Sequence, residues 1–315
     1  MNKKILVIFL ILMIVSIAAD DTPVIVCTTT ALESLAREVG GEKVDIVSLV
    51  QPGVCPSHFD VRPSHVAEVG RASLVLYHGM EPWLDGLITA SDNQDVVRAQ
   101  LEGPWNAPEL AVKKIEQVLE ALIQADPQNA SYYEGNAETA IAEIQRVADA
   151  IKREAEALEV ETMPVLCMEW QQYLVEWLGF TIVGMYGPPE TLSVKDVHTL
   201  VTEGSNANVV LVIDNLQSGT DLGSEVAAEV GAYHVTLTNF PNAVPETETI
   251  AEMIEYNARQ LFDAVKQYQE EKGKIAELES QLGEEQRKSK VFAVIAGILA
   301  GLCIVEAVVF YVRRK

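Results

Sequence analysis

The chain has 315 residues, with 23 basic and 46 acidic side chains and a formal net charge of −23. That charge argues against nucleic acid or anionic lipid as the ligand. Three cysteines outside a C-terminal apolar run, Cys27, Cys55 and Cys167, exclude a disulfide-dense scaffold.

The N-terminus reads as a secretory signal peptide over residues 1–19. Lys3 and Lys4 precede an apolar run from Ile5 to Ile17, and small residues Ala18 and Ala19 follow. An uncleaved N-terminal anchor is the alternative. No cysteine directly follows the run, so a lipid-modified cysteine is not expected there.

Val24 to Cys27 is a β-branched run ending at Thr28-Thr29-Thr30, and Ala31 to Val39 has helical spacing before Gly40-Gly41. Val44 to Val50 reads as a second strand. Ser64 is expected to cap a helix through Val69. Leu74 to Tyr77 reads as a third strand. Strand, loop and helix repeating in this order predict a parallel α/β lobe over residues 22–108.

Residues 109–160 are rich in helix formers, with one break near Asp126-Pro127. Ala137, Ile141, Ile144, Val147, Ile151 and Ala155 form an apolar stripe at three-to-four spacing. A long helix connecting two lobes is expected. Pro164 to Cys167 restarts the α/β pattern for a second lobe over residues 161–262. Its expected strands also include Phe180 to Met185, Val209 to Ile213 and Tyr233 to Leu237. Its expected helices are Tyr173 to Leu178, Val194 to Thr202, Ser224 to Val230 and Thr249 to about Tyr268.

Residues 263–290 turn polar and helical, with Ile275, Leu278 and Leu282 at helical spacing. A stalk is expected, and three apolar residues are too few to establish a dimer. Residues 291–312 form a run of membrane-spanning length with one charge, Glu306, followed by Arg313-Arg314-Lys315. The basic cap predicts a single span with the bulk of the chain on the extracytoplasmic face of the cell membrane. Glu306 either meets a partner helix or snorkels toward the interface. Asn129-Ala130-Ser131 is one glycosylation sequon.

Ligands of open parallel sheets sit at the carboxyl ends of the strands. Cys27 ends the first strand, Cys55 and His58 follow the second, and His78 follows the third. Cys167 and Glu169 end the first strand of the second lobe, and Asp214 ends a later one. Two facing lobes would bring these groups to one cleft. Cys55, His58, Cys167, Glu169 and Asp214 are therefore the candidate metal ligands, with Cys27 and His78 in reserve. Thiolate donors suit soft ions such as copper, and sulfur with imidazole suits zinc. Other readings stay open. Cys27 and Cys167 are alternatively buried small hydrophobes or a disulfide pair. Met168 is expected in the core, His65 on a helix surface, and His198 and His234 as ordinary helix and strand residues. Asp214 is a ligand or a helix-side cap.

These residues stand in a chain that resembles the cluster A substrate-binding proteins of zinc and manganese ABC importers. The resemblance runs from about Thr22 to Leu261. It rests on Thr28-Thr29-Thr30-Ala31-Leu32 with Gly40-Gly41, the loop Val50 to Ser64, Glu81-Pro82-Trp83-Leu84, Trp105 with Pro108, and Asp126 to Ala137. It implies two parallel-sheet α/β lobes joined by one long rigid helix, to which this chain adds a C-terminal helical stalk and transmembrane helix. It implies a receptor, not an enzyme, which captures a transition metal ion as cargo and delivers it to an ABC permease in the membrane. The sequence also offers no nucleophile with a base, no phosphate loop and no paired acids.

The family's ligand positions are altered. Its first-loop histidine falls on Ser57, with His58 one residue late and Cys55 where a carboxylate is usual. Its second histidine falls on Gly103, its third on about Met168 beside Glu169, and its final acid near Asn239. The usual ligand set cannot be carried over. Zinc, manganese or a softer ion such as copper are the cargo options. The alternatives are a receptor for a metal chelate or small organic solute, walled by Trp105, Trp170 and Tyr173, and an adhesion or scaffold protein that binds nothing.

Overall fold

The computed structural model describes residues 22–314. The expected signal peptide lies outside the described residues. The chain forms two compact units. The first takes residues 22–150 with Leu216–Ser218 and Thr238–Tyr256. The second takes Ile151–Asn215, Gly219–Leu237 and the chain from Asn257 onward.

The first unit holds a four-stranded parallel sheet in the order β2-β1-β3-β4, built from β1 (Val24–Cys27), β2 (Asp45–Ser48), β3 (Leu74–Tyr77) and β4 (Val97–Gln100). Helices α1 (Thr30–Gly40), α2 (Pro63–Gly70) and α3 (Leu84–Ala90) alternate with the strands, and α4 (Pro108–Ala125) follows them. The central strands β1 and β3 are almost continuously buried, as a strand covered on both faces must be. β2 and β4 lie at the edges and are partly exposed. One apolar cluster joins Val26, Leu49, Val69, Val75, Leu84, Leu87 and Ile88.

The second unit repeats the same order, β6-β5-β7-β8, from β5 (Pro164–Met168), β6 (Thr181–Tyr186), β7 (Leu211–Asn215) and β8 (Tyr233–Leu237). All three pairings are parallel, and β5 shifts register against β6 between Val165 and Leu166. Helices α6 (Gln172–Leu178), α7 (Val194–Ala207) and α8 (Asp221–Val230) connect the strands. Leu166, Met168, Tyr186, Leu200, Val212 and Val226 share its core.

Helix α5 (Ala130–Ala157) carries the expected stripe. Ala137, Ile144, Val147, Ile151 and Ala155 are buried, and Ile141 is half-buried. The turn before it is held by Asp126, whose carboxylate accepts from Asn129 Nδ2 and Tyr133 Oη, each at 2.6 Å. The sequon asparagine is thus tied into the turn. Helix α9 (Ile250–Arg313) is continuous through the expected last helix, stalk and span. At 1.5 Å per residue it is about 96 Å long. Among the described residues, Val265 is the last buried one of this helix, and residues 269–301 are exposed.

Three local expectations change. Pro63, not Ser64, opens α2, because proline suits the first helical position. His65 Nδ1 then accepts the Arg62 N–H at 3.0 Å, and its ring lies half-buried against Phe59 rather than on the open surface. Cys27, Cys55 and Cys167 are free thiols, so the disulfide reading of Cys27 and Cys167 does not hold.

Glu38 on α1 links structure to pH. Its carboxylate accepts from Ser34 Oγ at 3.3 Å, and that oxygen also accepts the Ile250 N–H at 3.2 Å. Burial, reinforced by Glu252 and Glu143, pushes its pKa from 4.5 to about 7 against the Ser34 bond. The folded state therefore keeps a proton that the unfolded state loses, and stability falls as pH rises from 4.5 through about 7. Glu38→Gln should match the parent in thermal melting near pH 4.5 and exceed it at pH 8, by roughly 1–2 kcal/mol after solvent screening. A gain independent of pH would contradict this placement.

Candidate metal site

In the first unit, the carboxyl ends of β1 and β3 meet the start of α1. Thr29 caps α1 by accepting the Leu32 N–H at 3.4 Å. Its hydroxyl also contacts His78 Nε2 at 2.9 Å. The His78 ring stacks on Trp105 with centroids 4.1 Å apart. Burial and the nearby Lys114 cation push the His78 pKa down to about 3, so the imidazole is neutral at any ordinary pH. Glu81 closes the same strand ends. Its carboxylate accepts from Thr28 Oγ1 at 2.6 Å and from the backbone N–H groups of His78 at 3.0 Å and Gly79 at 2.7 Å.

Lys114 closes the end of β4. Its buried ammonium donates to the carbonyls of Leu101 and Glu102. Burial pushes its pKa down to about 8, partly offset by Glu102. The sequence holds a usable signal for this residue. Lys114 sits on the buried stripe of α4 with Ala111, Ile115 and Val118, where a charge needs a partner.

Cys55 and His58 share one short turn. Cys55 precedes the 3-10 segment Pro56–His58, and the His58 N–H bonds the Cys55 carbonyl at 3.1 Å. Cys55 is half-buried and His58 exposed. The turn is held by Trp83 Nε1, which donates to Pro56 O at 2.8 Å, and by Ser57 Oγ, which donates to Met80 O at 3.3 Å. Ser57 therefore spends its hydroxyl on the turn.

Gly103 and Asn239, where the resemblance would place a histidine and an acid, are both constrained. Gly103 has φ +88°, a conformation that L side chains avoid, so a histidine there would be strained. Asn239 is engaged on several sides. Its carbonyl accepts from Trp105 Nε1 at 2.6 Å, its Oδ1 from Asn106 Nδ2 at 3.2 Å, and its N–H donates to Gln217 Oε1 at 3.1 Å.

In the second unit, Cys167, Glu169 and Asp214 stand at the ends of neighbouring strands. Cys167 is fully buried and its thiol contacts Met168 O at 3.3 Å. Burial pushes its pKa up, and Glu176 and Asp214 add to the shift. It is held as a neutral thiol. Cys27 in the first unit is enclosed in the same way, its pKa raised by burial. Met168 packs in the core as expected. Glu169 begins the turn after β5, half-buried, with its carboxylate beside Gly187.

Asp214 is 2% exposed, and both its oxygens are engaged. Oδ1 accepts from Tyr186 Oη at 2.7 Å, and Oδ2 lies 2.7 Å from His234 Nε2. Tyr186 also donates to Ile213 O at 3.0 Å, and burial followed by Asp214 pushes its phenol pKa up. Asp214 faces the first turn of α8, where a Cβ on Gly223 would overlap the carboxylate. His234, expected as an ordinary strand residue, is one of the two groups that hold it. Among the described residues, no group of three or more His, Cys, Asp or Glu side chains is placed to hold a metal ion.

Two parallel-sheet α/β units with their polar side chains at the carboxyl ends of the strands define a ligand-binding class rather than one ligand. Residues 25–264 match the family described as zinc-uptake complex component A, periplasmic, and the chain belongs to that family. The manganese-binding lipoprotein MntA of Halalkalibacterium halodurans is 24% identical over 268 residues, covering 71% of this chain and 89% of that protein. The high-affinity zinc uptake system protein ZnuA of Bacillus subtilis is 21% identical over 241 residues, covering 66% and 75%. A Treponema pallidum protein is 28% identical over 158 residues, so the chain spans about half the length of that relative, 50%, with 40% of its own. A Cd-bound periplasmic metal binding protein from Candidatus Liberibacter asiaticus shares the fold at TM-score 0.67 and 18% identity, over 77% of this chain and 99% of that one. A crystal structure of ZnuA shares it at TM-score 0.66 and 19% identity, over 78% and 100%.

The Gly223 contact gives a direct check on the role of Asp214. Gly223→Ala should lower stability by about 1–3 kcal/mol in denaturant unfolding, because the buried carboxylate has no room to retreat. Gly187→Ala meets Thr191 Oγ1 at 3.1 Å and Glu169 at 3.6 Å, and should cost less. Equal and small effects at both positions would contradict a clamped Asp214.

Proposed function

We propose that this chain is the extracytoplasmic receptor of a metal-ion ABC importer, which captures a transition metal ion as cargo and passes it to a membrane permease. The family match over residues 25–264 carries this reading. Relatives named for manganese and zinc support a first-row transition metal as the cargo class. Capture and delivery, not catalysis, are the activity.

Within the proposed set of Cys55, His58, Cys167, Glu169 and Asp214, we assign direct coordination to Cys55 and His58, which share one turn of the first unit. Cys55 and His58 lie in an accessible turn, and Glu169 is half-buried at a strand end. Cys167 is enclosed, and Asp214 is engaged by Tyr186 and His234. We give these two the role of support. A thiolate with an imidazole suits zinc, and it shifts preference away from manganese, which favours oxygen donors.

The anchor is the second part of the reading. Helix α9 is long and apolar enough to cross a membrane. Val291, Phe292, Ile295, Ile298 and Leu299 are exposed along it. Such a span would hold the receptor beside its permease at high effective concentration.

Titration of the full chain in detergent with Zn(II), Mn(II) and, under reducing conditions, Cu(I) tests the cargo reading. Zn(II) should bind more tightly than about 10 µM, roughly −7 kcal/mol, and Mn(II) at least tenfold more weakly. Cys55→Ser with His58→Ala should weaken Zn(II) by about tenfold or more. Absence of binding by all three ions would overturn the proposal.

A further inference from the structure

The loop after β2 is held by side chains on both flanks of Cys55. One flank is the Trp83 bond to Pro56 O, with the indole ring 4.9 Å from Phe59. The other flank is Gln217. Its Nε2 donates to Pro52 O at 3.0 Å and to Thr238 Oγ1 at 2.9 Å, and its Oε1 accepts the Asn239 N–H at 3.1 Å. Thr238 is buried, and its hydroxyl exchanges bonds with the backbone of Phe240, donating to the carbonyl and accepting from the N–H at 3.2 Å each.

One amide therefore ties the loop that carries Cys55 to the segment that follows β8. Gln217 stands in the turn Leu216–Ser218, three residues of the chain's second half that belong to the first unit. The geometry uses two donors and one acceptor, which a glutamine supplies in full. A glutamate of the same shape loses both donors, and a leucine loses all three bonds. Pro52 offers a carbonyl and no N–H, and Gly53 beside it has open space where a side chain would be. Residues 53 and 54 are exposed and make no strand or helix. Without the latch this stretch would have few other restraints.

We propose that Gln217 is a positioning residue for cargo capture, latching the Cys55–His58 turn in place before an ion arrives. The proposal rests on the reading that this turn supplies cargo donors. Donors fixed beforehand bind more tightly, because ordering is not charged to binding. Gln217 acts through backbone atoms of the turn and touches no donor itself.

Alkylation of Cys55 tests this in the full chain in detergent. Iodoacetamide labelling is followed peptide by peptide by mass spectrometry, with and without Zn(II), in the parent, Gln217→Leu, Gln217→Glu and Thr238→Val. Without metal, both Gln217 variants should label Cys55 about fivefold faster or more, with buried Cys27 and Cys167 still protected. Thr238→Val, which removes one partner, should give a smaller acceleration in the same direction and decides the matter if a Gln217 variant fails to fold. Zn(II) affinity in the Gln217 variants should fall about tenfold. Cys55 rates within about twofold of the parent in the metal-free variants would overturn the latch. Failure of Zn(II) to slow Cys55 labelling in the parent would instead overturn the metal reading of the turn, and with it the cargo role of Gln217.

Discussion

Parallel strands leave polar groups at their carboxyl ends, and three charged side chains close those ends in this chain. Glu81 gathers Thr28 and the backbone of His78 and Gly79. Lys114 takes the carbonyls of Leu101 and Glu102. Asp214 takes Tyr186 and His234. A buried charge is tolerable where it is fully hydrogen-bonded, so each of these residues depends on its partners remaining in place. These bonds tie the strand ends to the loops above them.

This division of labour separates support from capture. The groups that look most chemical in the sequence are partly structural in the fold. His78 is neutral and stacked, Cys27 and Cys167 are enclosed thiols, and Asp214 is a clamp. The more open polar groups are the Cys55 thiol and His58 imidazole in the turn after β2 of the first unit and, in the second unit, Glu169 after β5. Nearby, Ser57 bonds within its own turn, Gly103 has a positive φ, and Asn239 is hydrogen-bonded on several sides. The receptor role rests on the family match over residues 25–264.

Much of the fold was legible because β-branched runs followed by small polar residues mark buried parallel strands. Val24–Cys27, Leu74–Tyr77 and Tyr233–Leu237 occur as read. The edge strand β4, Val97–Gln100, is not legible in the sequence, because its alternating burial and its two polar side chains give a weak signal. α3 is not legible because seven residues hold too little periodicity. The composition shifts divide residues 263–312 into two segments, yet Ile250–Arg313 is one continuous helix. The site was less legible than the fold. Spacing places Asp214 at a strand end, but it does not reveal Tyr186, distant by 28 residues, as the donor that occupies it. Gln217 was invisible for the same reason, since its partners Pro52 and Thr238 lie far along the chain.

We propose that Cys55 and His58 are donors to the cargo ion. X-ray absorption at the zinc edge, on the full chain loaded with one equivalent of Zn(II), tests it most directly. One sulfur at about 2.3 Å is expected, with nitrogen and oxygen neighbours at about 2.0–2.2 Å and loss of the sulfur shell in Cys55→Ser. A zinc shell of nitrogen and oxygen alone, or a sulfur shell that survives Cys55→Ser, would contradict it.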